Sequence, residues 1–316
     1  MSFMNNIPSA NLSDFLSNDP QQKQKFIQEI GNAFEQIGFV ALKGHFLDEE
    51  LTEQLYKEIK NFFDLPEKTK KKYEIENGGG QRGYTSFGKE SAKGKKEADL
   101  KEFWHFGQYS KGDEKCQYPN NVTVSEIPNF NTVGKEAFQQ LEKTAKYVLR
   151  ALALHLNLNE FYFDKFIHNG NSILRPIHYP PIAEKPKGAE RAAAHGDINL
   201  ITLLMGAQGK GLQVKNHQGQ WIDAIAAPDE LMINVGDMLS RHTNNKLKST
   251  IHKVVNPAKE LWGKSRYSIP FFMHPIAAMH LDCLESCITP KEPKAFEDIT
   301  AGDFLKERLI ELGLLK

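Results

Sequence analysis

From residue 172 onward the sequence breaks into short apolar runs that suit a sheet rather than a helix. They are "SILRPIHYP", "NLITLLMG", "LQVKN", "WIDAIAA", "LMINVG", "STIHKVVN" and "RYSIPFFMHP", divided by Gly, Asn, Asp and Pro. This half predicts an antiparallel sandwich or small barrel. "NHQGQ" and "TNNK" read as hairpin turns within it. One run is chemically out of place. "AAAHGDINLITLLMG", residues 192 to 206, reads as a strand whose right half enters the core, yet its left half carries His195 and Asp197. Side chains alternate along a strand, so these two share a face. An imidazole and a carboxylate on a shared inner face are either a hydrogen-bonded pair or two arms of a metal site.

The first hundred or so residues follow a helical period instead. "DPQQKQKFIQEIGNAFEQIG" opens with Asp-Pro and repeats Phe26, Ile30, Phe34 and Ile37 at helical steps. "GFVALKG" reads as a short strand between glycines, and "DEELTEQLYKEIKNFFDLP" as a second helix that stops before Pro66. The basic run "EKTKKKYE" reads as a solvated helix end. "NGGGQRGYTSFGKESAKGKKEADLKEFWHFG" reads as a long mobile loop, unusually rich in aromatics and a candidate wall for a substrate. "VGKEAFQQLEKTAKYVLRALALHLNL" is a long amphipathic helix, and "DITAGDFLKERLIELGLLK" a final one.

Composition excludes several classes of partner. Lys+Arg and Asp+Glu are 40 each, so no overall field selects nucleic acid or an acidic membrane. No apolar run approaches the roughly 18 residues of a membrane span, and the first residues lack the pattern of a secretory signal. Cys116, Cys283 and Cys287 cannot pair completely, and "CLESC" has no second Cys/His pair for zinc, which predicts reduced thiols in a cytoplasmic protein. The expected partner is a small molecule, and the chain is expected to be a monomer or homodimer.

A third candidate ligand, His252, lies in "LKSTIHKVVNP", on one side of its own strand. Two imidazoles and one carboxylate match the facial triad of non-haem Fe(II) oxygenases, which leaves coordination positions open. In "SRYSIPFF", Arg266 and Ser268 lie two apart and share a face. A guanidinium pointing into a β core needs an anion. A dicarboxylate that chelates the metal at one end would meet Arg266 and Ser268 at the other. In "LRPIHYP", Arg175, Ile177 and Tyr179 share a face, and Tyr179 adds a phenol donor to the same anion.

With these residues in place, the chain resembles the 2-oxoglutarate- and Fe(II)-dependent dioxygenases, in their isopenicillin N synthase-like branch. The motifs "HGD", "GLQVKNHQGQWIDA", "NVGDML", His252 and "RYS" occur in the family's order across residues 170 to 275. A weaker likeness extends through "IGFVALKGH", "FFDLPEKTKKKY", "RGY" and "DLKEFWHFG". The resemblance implies an α+β fold with a mainly β core, a double-stranded β-helix (jelly roll) flanked by N-terminal and C-terminal helices. Residues 1–120 would form the helix-rich N-terminal region, 121–165 a long backing helix, 166–280 the Fe(II)/2-oxoglutarate core and 281–316 a helical tail.

The resemblance also implies that His195, Asp197 and His252 bind Fe(II), and that Arg266 and Ser268, with Tyr179 in support, bind 2-oxoglutarate. O2 would then oxidise a small molecule by hydroxylation or desaturation, with release of succinate and CO2. Where many plant members carry asparagine this chain has Ile177, and His178 is expected to point away from the site. The rival within the fold is an Fe(II) oxidase that does not use 2-oxoglutarate, such as isopenicillin N synthase or aminocyclopropane carboxylate oxidase. A rival from another class is a cupin-like binding protein with a vestigial site. Arg82, Tyr84, Arg175 and Phe272 are the candidate substrate contacts, with Asn199 and Asn234 as candidate borders.

Overall fold

The structure, a computed structural model, describes residues 6–75, 81–89, 99–109, 118–182, 190–206 and 211–311. Strand β1 (Ser9–Asn11) and helix α1 (Leu12–Leu16) lead into α2 (Pro20–Gln36), β2 (Phe39–Lys43) and α3 (Glu49–Phe63). A single turn, α4 (Glu67–Lys70), precedes β3 (Gly83–Thr85), β4 (Glu102–Gly107), α5 (Phe130–His155) and the short α6 (Asp164–Ile167). Then come β5 (Ile173–Leu174), β6 (Ile177–Tyr179), β7 (Ala192–His195), β8 (Ile201–Met205), β9 (Leu212–Lys215), β10 (Trp221–Asp223) and β11 (Leu231–Val235). Helix α7 (Asp237–His242), β12 (His252–Val254), β13 (Arg266–Met273) and α8 (Ala301–Glu311) complete the order.

The helix boundaries follow local chemistry. The Asp19 carboxylate accepts from the Gln21 amide at 2.8 Å with Pro20 at the first helical position, and Asp48 accepts from the Leu51 amide at 2.7 Å. Gly38 and Gly44, at φ 72° and 64°, bracket β2, and each lets the chain reverse where a Cβ would be strained.

The strands form two sheets of a jelly roll. The larger runs β1-β2-β11-β8-β13-β5-β4-β3, with β6 bridging β13 and β4; the smaller runs β10-β9-β12-β7. Alternation along the larger sheet separates two cores. Val40, Leu42, Leu203, Ile233, Ile269 and Phe271 face α2, α3 and α5, whereas Phe39, Ala41, Met232 and Tyr179 face the smaller sheet. Helix α5 lays Phe138, Leu141, Ala145 and Leu149 against the first of these faces at helical spacing.

Several sequence expectations are corrected. Residues 192–206 are not one strand: β7 belongs to the smaller sheet and β8 to the larger, so "GDIN" is the crossing between them. "SILRPIHYP" divides into β5 and β6 at Pro176, which has no amide to donate. "TNNK" ends α7 rather than forming a hairpin, with Asn244 and Asn245 in the left-handed region at φ 50° and 62°. The stretch expected as a mobile loop contains the antiparallel pair β3–β4, while its residues 77–80 and 90–98 lie outside the described residues, as does Cys116. The basic run is not wholly solvated, because Lys70 is buried against Glu102.

The close approach of α5 to β4 is testable. A Cβ on Gly134 would lie 2.4 Å from the Phe106 ring. Gly134→Ala is therefore expected to destabilise the protein by about 1–3 kcal/mol through overpacking, measured as a lower denaturant midpoint. An unchanged midpoint would contradict this packing.

Candidate active site

His195 ends β7 and His252 begins β12, and the antiparallel register sets them directly opposite each other. Their ring centroids are 4.5 Å apart. Asp197 follows two residues later, in the crossing segment, and reaches back to both: its Oδ1 lies 3.9 Å from His195 Nε2 and 3.7 Å from His252 Nε2. One ligand atom from each residue lies within 4.8 Å of the others. The two histidines come together by cross-strand pairing, and Asp197 by a turn rather than by sharing a strand face with His195.

The outer atom of each group is held by protein. His195 Nδ1 bonds the Ala193 carbonyl at 2.7 Å, and His252 Nδ1 the Thr250 carbonyl at 3.1 Å. Both rings therefore carry the proton on Nδ1 and turn an Nε2 lone pair inward. Asp197 Oδ2 accepts from Thr202 Oγ1 at 2.6 Å and from Asn234 Nδ2 at 2.7 Å, which leaves Oδ1 turned to the histidines. The "NVGD" motif supplies this support, since the Asp237 amide also donates to the Asp197 carbonyl at 2.7 Å.

Protonation states suit a cation. Burial, then the neighbouring His252, push His195 down to about 4, so the ring is neutral at pH 7. Burial works to raise the Asp197 carboxyl, but the two histidines and the bonds from Asn234 and Thr202 hold it below its ordinary value. Two imidazoles and a carboxylate, with no thiolate among the three, form a donor set that fits ferrous iron.

These residues line a cavity of about 480 Å³ between the sheets. Ser268, Pro270, Phe272 and His274 follow one another along its wall on the inward face of β13 and just beyond its end. Arg266 starts the same row. It does not itself border the cavity, but its guanidinium lies 5.6 Å from the Tyr179 ring centroid, and Tyr179 and Ser268 do border it. Arg266 Nη1 is buried without a hydrogen-bond partner among the described residues, as expected of a group that awaits an anion.

Of the candidate substrate contacts, Arg175 and Phe272 line the cavity, with the Arg175 guanidinium 4.5 Å from the Phe103 ring centroid and 5.2 Å from that of Phe272. Arg82 and Tyr84 do not. Arg82 is buried beside Gly107 and donates to the carbonyls of Pro119 and Gln81, and Tyr84 packs in the helix-side core and donates to Glu102. Neither side chain borders the cavity, although Gln81, next to Arg82, does. Ile177 borders the cavity, whereas His178 faces the helices. Asn199 and Asn234 also line it.

Several positions around the site were not legible in the sequence. Asp99 accepts from the Ala193 amide at 3.2 Å and pairs with Lys101 at 2.8 Å, which braces the peptide that holds His195. Arg191, buried, has its guanidinium 5.7 Å from the Tyr179 ring centroid, the same ring that Arg266 approaches. His274 and the α8 residues Leu305, Arg308 and Leu309 close the end opposite Arg266. Only the family-like stretch "DLKEFWHFG" hinted at Asp99; the others carry no spacing signal.

Comparison with known proteins decides the family. Residues 170–275 match the model of the 2OG-Fe(II) oxygenase superfamily. The chain belongs to that superfamily. Residues 7–126 match a second model, the N-terminal region of the non-haem dioxygenase in morphine synthesis. A 2-oxoglutarate-Fe(II) type oxidoreductase of Emericella nidulans is 30% identical over 95% of this chain and 88% of its own. A 2OG-Fe(II) oxygenase family protein from Caulobacter crescentus superimposes with a TM-score of 0.87 at 42% identity, covering 96% of this chain and 98% of that one. A full-length Neurospora crassa protein in complex with alpha-KG superimposes with a TM-score of 0.86 at 30% identity, covering 96% and 95%.

The 2OG-Fe(II) oxygenase is thus an enzyme that uses Fe(II), 2-oxoglutarate and O2 on a small molecule, and the oxidase reading without 2-oxoglutarate is not supported. Among the described residues, no helix is long and apolar enough to cross a membrane.

The cavity histidines give the apoprotein a defined pH response. Burial holds His274 at about 4 against an ordinary 6.5, as it does His195. Between those values the unfolded chain binds more protons than the folded one, so stability falls as pH drops from about 6.5 to about 4. His274→Gln removes one of these groups and is expected to flatten that fall by about 1–3 kcal/mol. The check is a urea midpoint series for both proteins; parallel series would contradict the burial of a neutral His274.

Proposed function

We propose that His195, Asp197 and His252 hold the Fe(II), and that Arg266, Ser268 and Tyr179 hold the distal carboxylate of 2-oxoglutarate. The observation that carries the first assignment is the convergence of Asp197 Oδ1 and two Nε2 atoms while every outer atom of the three groups is bonded to protein. For the second, it is a buried Arg266 nitrogen without a partner among the described residues, beside Ser268 and Tyr179. When bound, the metal lets O2 oxidise a substrate C–H bond while the keto acid becomes succinate and CO2. The protein's own part is orientation and exclusion of water. Thr202 and Asn234 fix the carboxylate, Ala193 and Thr250 fix the rings, and the two sheets enclose the reacting volume.

The substrate would lie at the other end of β13, against Arg175, Phe272 and His274, under Leu305 and Leu309 of α8. A buried His274 Nδ1 without a partner among the described residues supports a hydrogen-bonding group on the substrate. Two similar proteins suggest its scale: one, from Petromyces alliaceus, is named a proline hydroxylase, and the Neurospora crassa protein has been crystallised with thymine. We assign this chain a compact substrate with a polar edge, oxidised by hydroxylation or desaturation. The balanced charge fits a small-molecule partner rather than nucleic acid, and the free Cys283 and Cys287 fit a cytoplasmic protein, which we take as a monomer or homodimer.

Two measurements test the assignment. Asp197→Ala is expected to weaken Fe(II) binding at least about 100-fold and to abolish O2-coupled succinate release; wild-type iron affinity would rule out this triad. Arg266→Lys keeps the charge but loses the fork, and should weaken 2-oxoglutarate about tenfold with Fe(II) affinity unchanged.

A further inference from the structure

On the helix-facing side of the larger sheet, behind the proposed 2-oxoglutarate clamp, lies a buried polar network that the reaction does not touch. Glu102 on β4 is its centre. Lys70 Nζ donates to its two oxygens at 3.0 and 2.8 Å and also to the Phe63 carbonyl at 3.1 Å. The Tyr84 hydroxyl donates to it as well. His178 Nδ1 donates to Glu102 Oε1 at 2.7 Å, and its Nε2 is hydrogen-bonded to Ser265 Oγ at 3.0 Å. The His178 ring stacks on Tyr267 at 4.8 Å with planes 11° apart, and Phe63 packs 5.3 Å from it.

The register gives this network its meaning. Glu102, His178 and Tyr267 form one row across β4, β6 and β13. The next row on β6 and β13 pairs Tyr179 with Arg266, and Ile177 pairs with Ser268. His178 is thus the immediate neighbour of Tyr179, and Ser265 of Arg266. Alternation sends the network to the helix side and the clamp residues to the cavity side of the same backbone. Strand β6 is three residues long and ends at Pro180 and Pro181, so few ladder bonds fix it. The His178 side chain ties it to both neighbours instead.

We propose that Glu102 and His178 are positioning residues for 2-oxoglutarate: they lock β6 against β13 so that Tyr179, Arg266 and Ser268 meet the distal carboxylate. This rests on the clamp assignment made above. What favours a positioning role over a generic core contact is that the one His178 side chain joins Glu102 of β4 to Ser265 and Tyr267 at the start of β13.

The test is anaerobic calorimetric binding of 2-oxoglutarate to the Fe(II)-loaded full chain, with Fe(II) affinity measured separately. Glu102→Gln is expected to weaken 2-oxoglutarate about tenfold and to leave Fe(II) affinity unchanged. Because that change leaves Lys70 poorly compensated, His178→Phe serves beside it: it keeps the stack on Tyr267 and removes both hydrogen bonds. His178→Asn, which retains a donor toward Glu102, should recover part of the loss. In an Arg266→Lys background the Glu102→Gln effect should shrink well below tenfold, since both changes act through the same guanidinium.

If Arg266→Lys weakens binding but His178→Phe does not, or if the effects simply multiply, the positioning role is overturned while the clamp stands. If Arg266→Lys leaves 2-oxoglutarate affinity unchanged, the clamp itself fails, and the positioning role fails with it.

Discussion

Anchoring of the Asp197 carboxylate governs the whole site. This residue sits where the chain leaves the smaller sheet and joins the larger, so it must be held from both sides. Thr202 on β8 and Asn234 on β11 bind one oxygen, and the other meets two histidines from β7 and β12. An ionised carboxylate is costly to bury unless its lone pairs are filled. Two neutral hydrogen-bond donors fill one oxygen here, and a cation is the natural complement for the other.

That single residue links the layers of the fold to the chemistry. The helices cover one face of the larger sheet, which frees the opposite face to form a cavity with the smaller sheet. Strand β13 then works as a ruler along the wall. From Arg266 to His274, one residue past the strand, the chain spans about 26 Å at the usual rise per residue, which separates the proposed co-substrate anchor from the proposed substrate end. The polar network behind β6 uses the other side of the same strands. Structural and functional side chains thus alternate along one backbone.

Much of the site was legible in the sequence, and the reason is local. His195, Asp197 and His252 are polar residues in otherwise apolar runs, and Arg266 with Ser268 is a charge in a strand where burial is expensive. Helices α2, α3 and α5 announced themselves by period, the first two also by Asp19, Asp48 and the halt before Pro66. What escaped depends on contacts between distant segments. The split of residues 192–206 into two sheets has no local marker except Gly196 and Asp197. Arg82 and Tyr84 looked like loop residues because glycines surround them, yet Tyr84 is buried in the β3–β4 pair and Arg82 is buried on the carbonyls of Pro119 and Gln81. Lys70 read as solvated until Glu102, 32 positions away, came beside it.

Three named atoms sharing one ferrous ion is the proposition that everything else serves. Crystals grown without oxygen in the presence of Fe(II) and measured at the iron absorption edge test it most directly. One anomalous peak is expected, in coordination contact with His195 Nε2, Asp197 Oδ1 and His252 Nε2. A peak elsewhere in the molecule, or ligation through Asp197 Oδ2 or an imidazole Nδ1, would contradict it.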